Sequence, residues 1–132
     1  MKSQENIIKE ESVLREEIRN LPDDMRKEFY SKIEDRIKDP DTYAVLNWFF
    51  IAGIHHFYLQ KWLNGFINIG IFIIGILFLC SGSLGFTEIG IVLLLMLFIV
   101  ESKQLFKSQQ IVQDYNNMVT RKVLDELKIN KS

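Results

Sequence analysis

Apolar and polar positions divide this chain into three zones. Between Glu5 and Leu21, the residues Ile7, Ile8, Val13, Leu14, Ile18 and Leu21 recur at helical spacing in a charged background. Pro22 followed by Asp23 and Asp24 then suits the start of a new helix, where a missing N–H costs nothing and acids oppose the helix dipole. Met25, Phe29, Ile33 and Ile37 continue the apolar stripe at intervals of four. The pattern predicts two amphipathic helices, or one kinked at Pro22. Pro40 disfavours helix at Asp39, and Asp41 or Thr42 is suited to capping the next helix.

Three apolar segments come next: Tyr43 to Leu59, Trp62 to Cys80, and Phe86 to Val100. The second is about long enough to cross a hydrocarbon core of ~30 Å as a helix. The third reaches that length if Ser102 to Leu105 extend it. Residues 81–85, "SGSLG", form a Gly/Ser turn between them. The many Ile and Val residues do not argue for strands, because a membrane-spanning strand needs a closed barrel and three segments cannot close one. Beyond Lys103 the pattern becomes amphipathic again. Ile111, Val112, Tyr115, Met118, Val119, Val123 and Leu127 mark one face, and Gln113, Asp114, Asn117, Arg121, Lys122 and Asp125 the other. The predicted organisation is an amphipathic helical region over 1–40, a transmembrane domain over 42–106 and an amphipathic C-terminal helix over 107–132.

Charge sharpens this division. Residues 1–42 carry nine Lys/Arg and twelve Asp/Glu, residues 101–132 carry six and four, and the 58 residues between them hold only Lys61 and Glu88. A small soluble domain needs charge over most of its surface, because so much of it is surface. The middle zone therefore belongs in lipid. The fold class expected is all-α: an integral membrane helical hairpin of two to three apolar helices, flanked by amphipathic cytosolic helices. A net charge of −1 gives no signature of nucleic-acid binding. The single cysteine, Cys80, excludes an intrachain disulfide and a cysteine-based zinc site, and reads as a small hydrophobe.

One stretch of the middle zone carries most of the chemistry. "GIHHFYLQKWLNGFINIG", from Gly53 to Gly70, places two histidines between apolar runs, with three aromatic residues from Phe57 to Trp62. It resembles the TM-two domain family, small membrane modules built around a pair of transmembrane helices, whose pattern includes Gly-x-His-Arg-Phe-Tyr-Leu-Gly. The matching positions are Gly53, His55, Phe57, Tyr58, Leu59, Gly65 and Phe66, and "VQDYN" from Val112 to Asn116 is similar to the family's Val-x-x-Tyr-Asn. The resemblance covers roughly residues 42–116. His56 stands in place of the usual arginine and Gln60 in place of the usual glycine. The family's Trp-x-x-x-Asp is absent, with Glu101 or Gln104 nearest the place of its acid. What the resemblance implies is architecture, since the family's biochemical activity is poorly defined.

Taken residue by residue, Gly53, His55, His56, Phe57, Tyr58, Leu59 and Gly65 form a membrane-turn motif. On a helix, adjacent side chains diverge by ~100°, so His55 and His56 are not expected to share a metal, and Glu88 is the sole acid within the apolar zone. The reading preferred is an imidazole pair at headgroup level beside a Trp/Tyr belt. A pH-responsive pair is the alternative, since histidine titrates near physiological pH. Glu88, three residues past Gly85, reads as an interfacial carboxylate. Asn64 and Asn68, one helical turn apart, and Asn47 in the preceding segment are candidate intramembrane polar contacts, each worth about 0.6–2 kcal/mol as interhelix hydrogen bonds. No catalytic residues, metal or cofactor are expected, and no enzyme.

The function expected is that of a membrane-anchored interaction or regulatory module, with the lipid bilayer and a second copy or another protein as partners, and no nucleic acid. The alternative is an oligomeric pore or ion-conducting effector lined by Asn47, Asn64, Asn68 and Glu88. The location expected is a membrane, crossed more than once, the bacterial inner membrane. Lys27, Lys32, Arg36 and Lys38 precede the apolar core, Lys103 and Lys107 follow it, and the 81–85 loop carries none. By the positive-inside rule this favours two spans over three, with both termini cytoplasmic.

Overall fold

The computed structural model describes residues 2–48 and 53–130, and all of its regular secondary structure over these residues is helical. Seven helices form two compact units, residues 1–39 with 110–132 and residues 40–109. The helices are α1 (Gln4–Arg19), α2 (Asp23–Ile33), α3 (Pro40–Trp48), α4 (Ile54–Tyr58), α5 (Trp62–Leu79), α6 (Leu84–Phe106) and α7 (Ser108–Asn130).

The first unit is built from α1, α2 and most of α7. Ser3 caps α1, its side chain accepting from the Asn6 N–H. Asn20 to Pro22 then interrupt the chain, so the amphipathic region is two helices and not one kinked helix. The core comprises Ile7 and Leu14 of α1, Phe29 and Ile33 of α2, and Val112, Tyr115, Val119, Val123, Leu124 and Leu127 of α7. Helix α1 lies beside α7 and runs in the same direction. Lys2 meets Asp114, the Ile7 carbonyl accepts from Asn117, Glu10 meets Arg121, and Glu17 meets Lys128.

Several details of the expected stripes change. Ile8 and Val13 are exposed, which narrows the apolar face of α1. Ile37 is exposed as well, because α2 ends at Ile33 and the chain turns away from the helical register before reaching it. Met25 is half-buried. On α7, Met118 is exposed, whereas Asn117, assigned to the polar face, is buried. At ~100° per residue the buried arc runs from Tyr115 through Val119, Val123 and Leu127 to Leu124 and Asn117. Two helices cover α7, so its buried arc is wider than one stripe and is rotated away from Met118. Asn116 accepts from the Lys38 N–H at 2.9 Å and donates to the Lys38 carbonyl at 2.9 Å, binding the segment after α2 to α7.

The second unit is organised around α5 and α6, two long apolar helices packed as a hairpin. With 18 and 23 residues they span about 27 and 35 Å at 1.5 Å per residue, bracketing a ~30 Å hydrocarbon core. Cys80 to Ser83 connect them, with Gly82 at a φ of +70°. Helix α6 starts two residues before the expected Phe86 and runs on to Phe106. The helices approach most closely at glycine. A Cβ on Gly90 would lie 2.7 Å from both the Gly75 carbonyl oxygen and the Leu79 nitrogen. These are backbone atoms, which cannot rotate out of the way.

The first apolar segment, Tyr43 to Leu59, is not one long helix over the described residues. Pro40 is itself the first residue of α3, where Asp41 or Thr42 was expected to act as cap. Helix α4 has five residues and starts after Gly53, whose φ of +81° is the left-handed conformation that glycine tolerates. The central part of the segment, residues 49–52, lies outside the described residues. Helices α3 and α4 pack against the end of the hairpin remote from the 80–83 connection, α3 on α6 and α4 on α5. Gln60, just past α4, has a φ of +57°, a conformation that costs a residue with a Cβ roughly 1–2 kcal/mol.

The Gly90 contact makes a specific prediction. Gly90→Ala should lower the thermal stability of the full-length protein in detergent by about 1–3 kcal/mol, the usual cost of overpacking. Gly70→Ala, where an added Cβ meets nothing within 4 Å, should leave stability unchanged or raise it. Equal melting curves for Gly90→Ala and the wild type would show that the helices do not approach as described.

Candidate functional site

At the end of the hairpin remote from the 80–83 connection, one carboxylate draws four helices together. Glu101 belongs to α6, near the C-terminal end of that helix, and is 6% exposed. The Asn68 amide of α5 donates to its Oε1. His55 Nε2, from α4, lies 3.0 Å from its Oε2, and His56 Nε2 lies 4.0 Å from its Oε1. The Glu101 backbone carbonyl accepts from Asn47 Nδ2 of α3 at 3.1 Å. Tyr43 of α3 stacks edge-on against the His55 ring at a centroid separation of 5.2 Å. The Tyr43 hydroxyl donates to Gln104 Oε1 at 3.4 Å, one turn along α6 from Glu101, and His55 Nε2 lies at the same distance from that oxygen.

The local sequence explains how these groups meet. Gly53 turns the chain into α4, and a Cβ there would lie 2.8 Å from the Asn68 Cβ, so glycine brings α4 onto α5. Gly65 does the same one step further along, since its face is filled by the Phe57 ring. Phe57 also packs edge-on against Trp62 and Phe66, each at 5.3 Å, and holds the α4–α5 corner. With the corner set, His55 and His56 both reach inward, their ring centroids 4.1 Å apart. They are 1% and 7% exposed. The imidazole pair expected beside a Trp/Tyr belt is thus covered by protein groups. The divergence expected of neighbouring helical residues is overcome by side-chain length and by a partner on another helix.

The electrostatics are those of a carboxylate withdrawn from water. Burial pushes the His56 imidazole down to about 4, with His55 and Lys61 acting in the same direction and Glu101 opposing them. His56 is thus neutral at neutral pH. Burial and the Glu101 charge hold the Tyr43 phenol well above its ordinary value, so its hydroxyl acts as a donor. Glu101 Oε2 is buried and lies within ion-pair distance of His55, yet it has no hydrogen bond of acceptable geometry. The short distance establishes proximity, and the angle leaves this oxygen's hydrogen-bonding capacity unused.

Of the residues expected to matter, the structure brings Asn47, Asn68, His55 and His56 to one place and keeps two others apart. Asn64 is exposed, although it lies one turn from Asn68. Glu88 is also exposed, near the opposite end of α6. Tyr58 is half-buried and Leu59 buried beneath the corner. Tyr43 joins the site without any sequence signal that singles it out for it, and Gln104 with only the signal it shares with Glu101, nearness to the place of the acid in the TM-two pattern. Glu101 is the acid that the histidines lack when the apolar zone is taken alone; the one signal for it is its nearness to the place of the acid in the TM-two pattern. Comparison of the chain with known protein families, with curated proteins and with solved structures finds no match.

A double-mutant cycle tests whether His55 and Glu101 act as a pair. In chelator-treated full-length protein, His55→Leu alone should cost about 1–3 kcal/mol, since it leaves a buried carboxylate oxygen without the imidazole nitrogen that faces it. His55→Leu with Glu101→Leu should recover much of that loss. Glu88→Ala should stay within about 0.5 kcal/mol of wild type. Strict additivity of the two single changes in thermal or denaturant unfolding would show that the residues are independent.

Proposed function

We propose that this chain is an integral membrane protein whose hairpin anchors a folded helical unit that binds a protein partner at the cytoplasmic surface. The observation that carries this reading is the exposure of the two long helices. Their apolar windows are only 11% buried, unlike the mostly buried core helix of a soluble fold. Leu63, Phe66, Leu77, Leu84, Met96 and Phe98 are each more than half exposed, at different positions around α5 and α6. Lipid is the solvent that removes this surface from water without cost. Helix α3 and the histidine-bearing α4 are both too short to span. Two spans put residues 1–39 and 110–132 on one side, and the lysines and arginines flanking the core make that side the cytoplasm.

The resemblance to the TM-two domain family fits this reading. Gln60, where the family has glycine, has a left-handed φ, and Glu101 occupies the site to which His55 and His56 turn. Val112, Tyr115 and Asn116, which match Val-x-x-Tyr-Asn, all serve the first unit: the first two in its core and the third clasping Lys38. Anchoring is favoured over conduction because Asn47 and Asn68 spend their amides on Glu101 within one chain. Ile8, Tyr30 and Met118 leave apolar surface exposed on the helical unit, which suits contact with a protein.

Three experiments test the proposal. The chain should resist alkaline carbonate extraction, and single cysteines replacing Glu5 and Ile129, in a Cys80→Ser background, should both be shielded from impermeant label in intact cells. Labelling of one but not the other would overturn the two-span topology. A photo-crosslinking residue at position 30 or 118 of the full-length membrane-bound protein should give a discrete adduct with a protein or a second copy, and one at exposed Glu5 should not. Failure at both 30 and 118 would remove the binding role while leaving the anchor.

A further inference from the structure

The donor atoms at the end of the hairpin remote from the 80–83 connection are arranged as a metal site is. Two imidazoles and one carboxylate converge, and one nitrogen or oxygen from each lies within 4.8 Å of the others. The closest pair, His55 Nε2 and Glu101 Oε2, is at 3.0 Å, and His56 Nε2 is 4.0 Å from Glu101 Oε1. Metal–ligand bonds of ~2.0–2.2 Å place the ligands of a tetrahedral ion roughly 3.3 Å apart. The widest separation must therefore close by about 1.5 Å, which rotation of long side chains can supply without moving backbone.

A second observation points independently to a ligand. Glu101 is more than nine-tenths buried, and its Oε2, on the side of His55, has no hydrogen-bond partner. Buried polar atoms almost always have one, and an unsatisfied carboxylate oxygen is among the most costly to leave. An ion at this position would satisfy it and compensate the carboxylate charge.

We propose that His55, His56 and Glu101 bind a single divalent transition-metal ion of the zinc class. Imidazole nitrogen and a single carboxylate favour zinc and its neighbours over magnesium or calcium, which take sets of oxygen ligands. Three protein ligands leave a fourth position for water or an amide oxygen; Gln104 Oε1 lies 3.4 Å from His55 Nε2, close enough to contribute. The ion would staple α4 to α6 across a separation of 45 residues in the chain, closing the end of the hairpin opposite the 80–83 connection. Its role is structural. The histidine adjacency that argued against a metal in the sequence loses its force once the third ligand comes from another helix.

The test uses full-length protein purified in detergent, stripped with chelator and reloaded with zinc or cobalt alone. Wild type should retain one equivalent after desalting. Its cobalt form should show the visible bands of a tetrahedral site, lost on adding zinc, and zinc should raise its unfolding temperature. His56→Ala and Glu101→Gln should each lower zinc affinity by more than ~100-fold, beyond the loss typical of residues that only support a ligand. Glu88→Gln should bind as wild type does. If Glu101→Gln fails to fold, the wild-type cobalt spectrum and the milder His56→Asn decide the matter. Absence of retained metal in wild type, or equal retention in His56→Asn, would overturn the site and leave His55 and Glu101 as a packing contact only.

Discussion

A carboxylate withdrawn from water must be compensated, and much of the second unit can be understood as the means of compensating Glu101. Its desolvation would cost several kcal/mol if nothing faced it. Asn68 and the two histidines face its oxygens, and Asn47 takes up the carbonyl of the same residue. These groups come from α5, α4 and α3, so one buried charge sets where three helices must lie against the fourth. The constraint also accounts for Gly53. Only a residue without a Cβ lets α4 approach Asn68 closely enough for His55 and His56 to reach inward.

Away from this charge the hairpin is held by contact alone. Helices α5 and α6 present apolar surface in most directions, and in the membrane proposed for them no hydrophobic force distinguishes a helix neighbour from lipid tails. What distinguishes them is how closely backbones can approach. Gly75 and Gly90 allow this, Leu94 fills the Gly75 face, and Phe78 meets Phe86 near the connection. One end of the hairpin is thus closed by small residues and dispersion, the other by hydrogen bonds and charge.

The first unit obeys different physics. Its surface is charged and its core apolar, and polar side chains within it bind backbone groups of neighbouring segments. Asn117 donates to the Ile7 carbonyl from within the core, and Asn116 pairs with both backbone groups of Lys38 beyond the end of α2. The exposed ion pairs along α1 and α7 contribute little energy individually. They nevertheless keep a regular offset, so they favour one register of two parallel helices over its neighbours.

The sequence by itself determined the composition of each zone and the type of every long element. Periods of three and four in a charged background make α1, α2 and α7 amphipathic. Uninterrupted apolar runs make α5 and α6 long and lipid-like, and Gly/Ser at 81–85 separates them. These features depend on neighbours within a turn or two, which a linear pattern records. Only the tertiary structure decided which faces are covered and which polar groups meet. Asn117 passes from the polar face to the core because two helices, and not one, cover α7. Asn64 and Asn68 share a helix face in the sequence, but only Asn68 is opposite a carboxylate. Glu101 looks like the polar margin of an apolar run until α4 folds back beside it. Its meeting with His55 and His56 joins residues 45 and more positions apart, and such contacts are set by helix crossing and the shape of a turn. Neither is written in the spacing of residues along the chain.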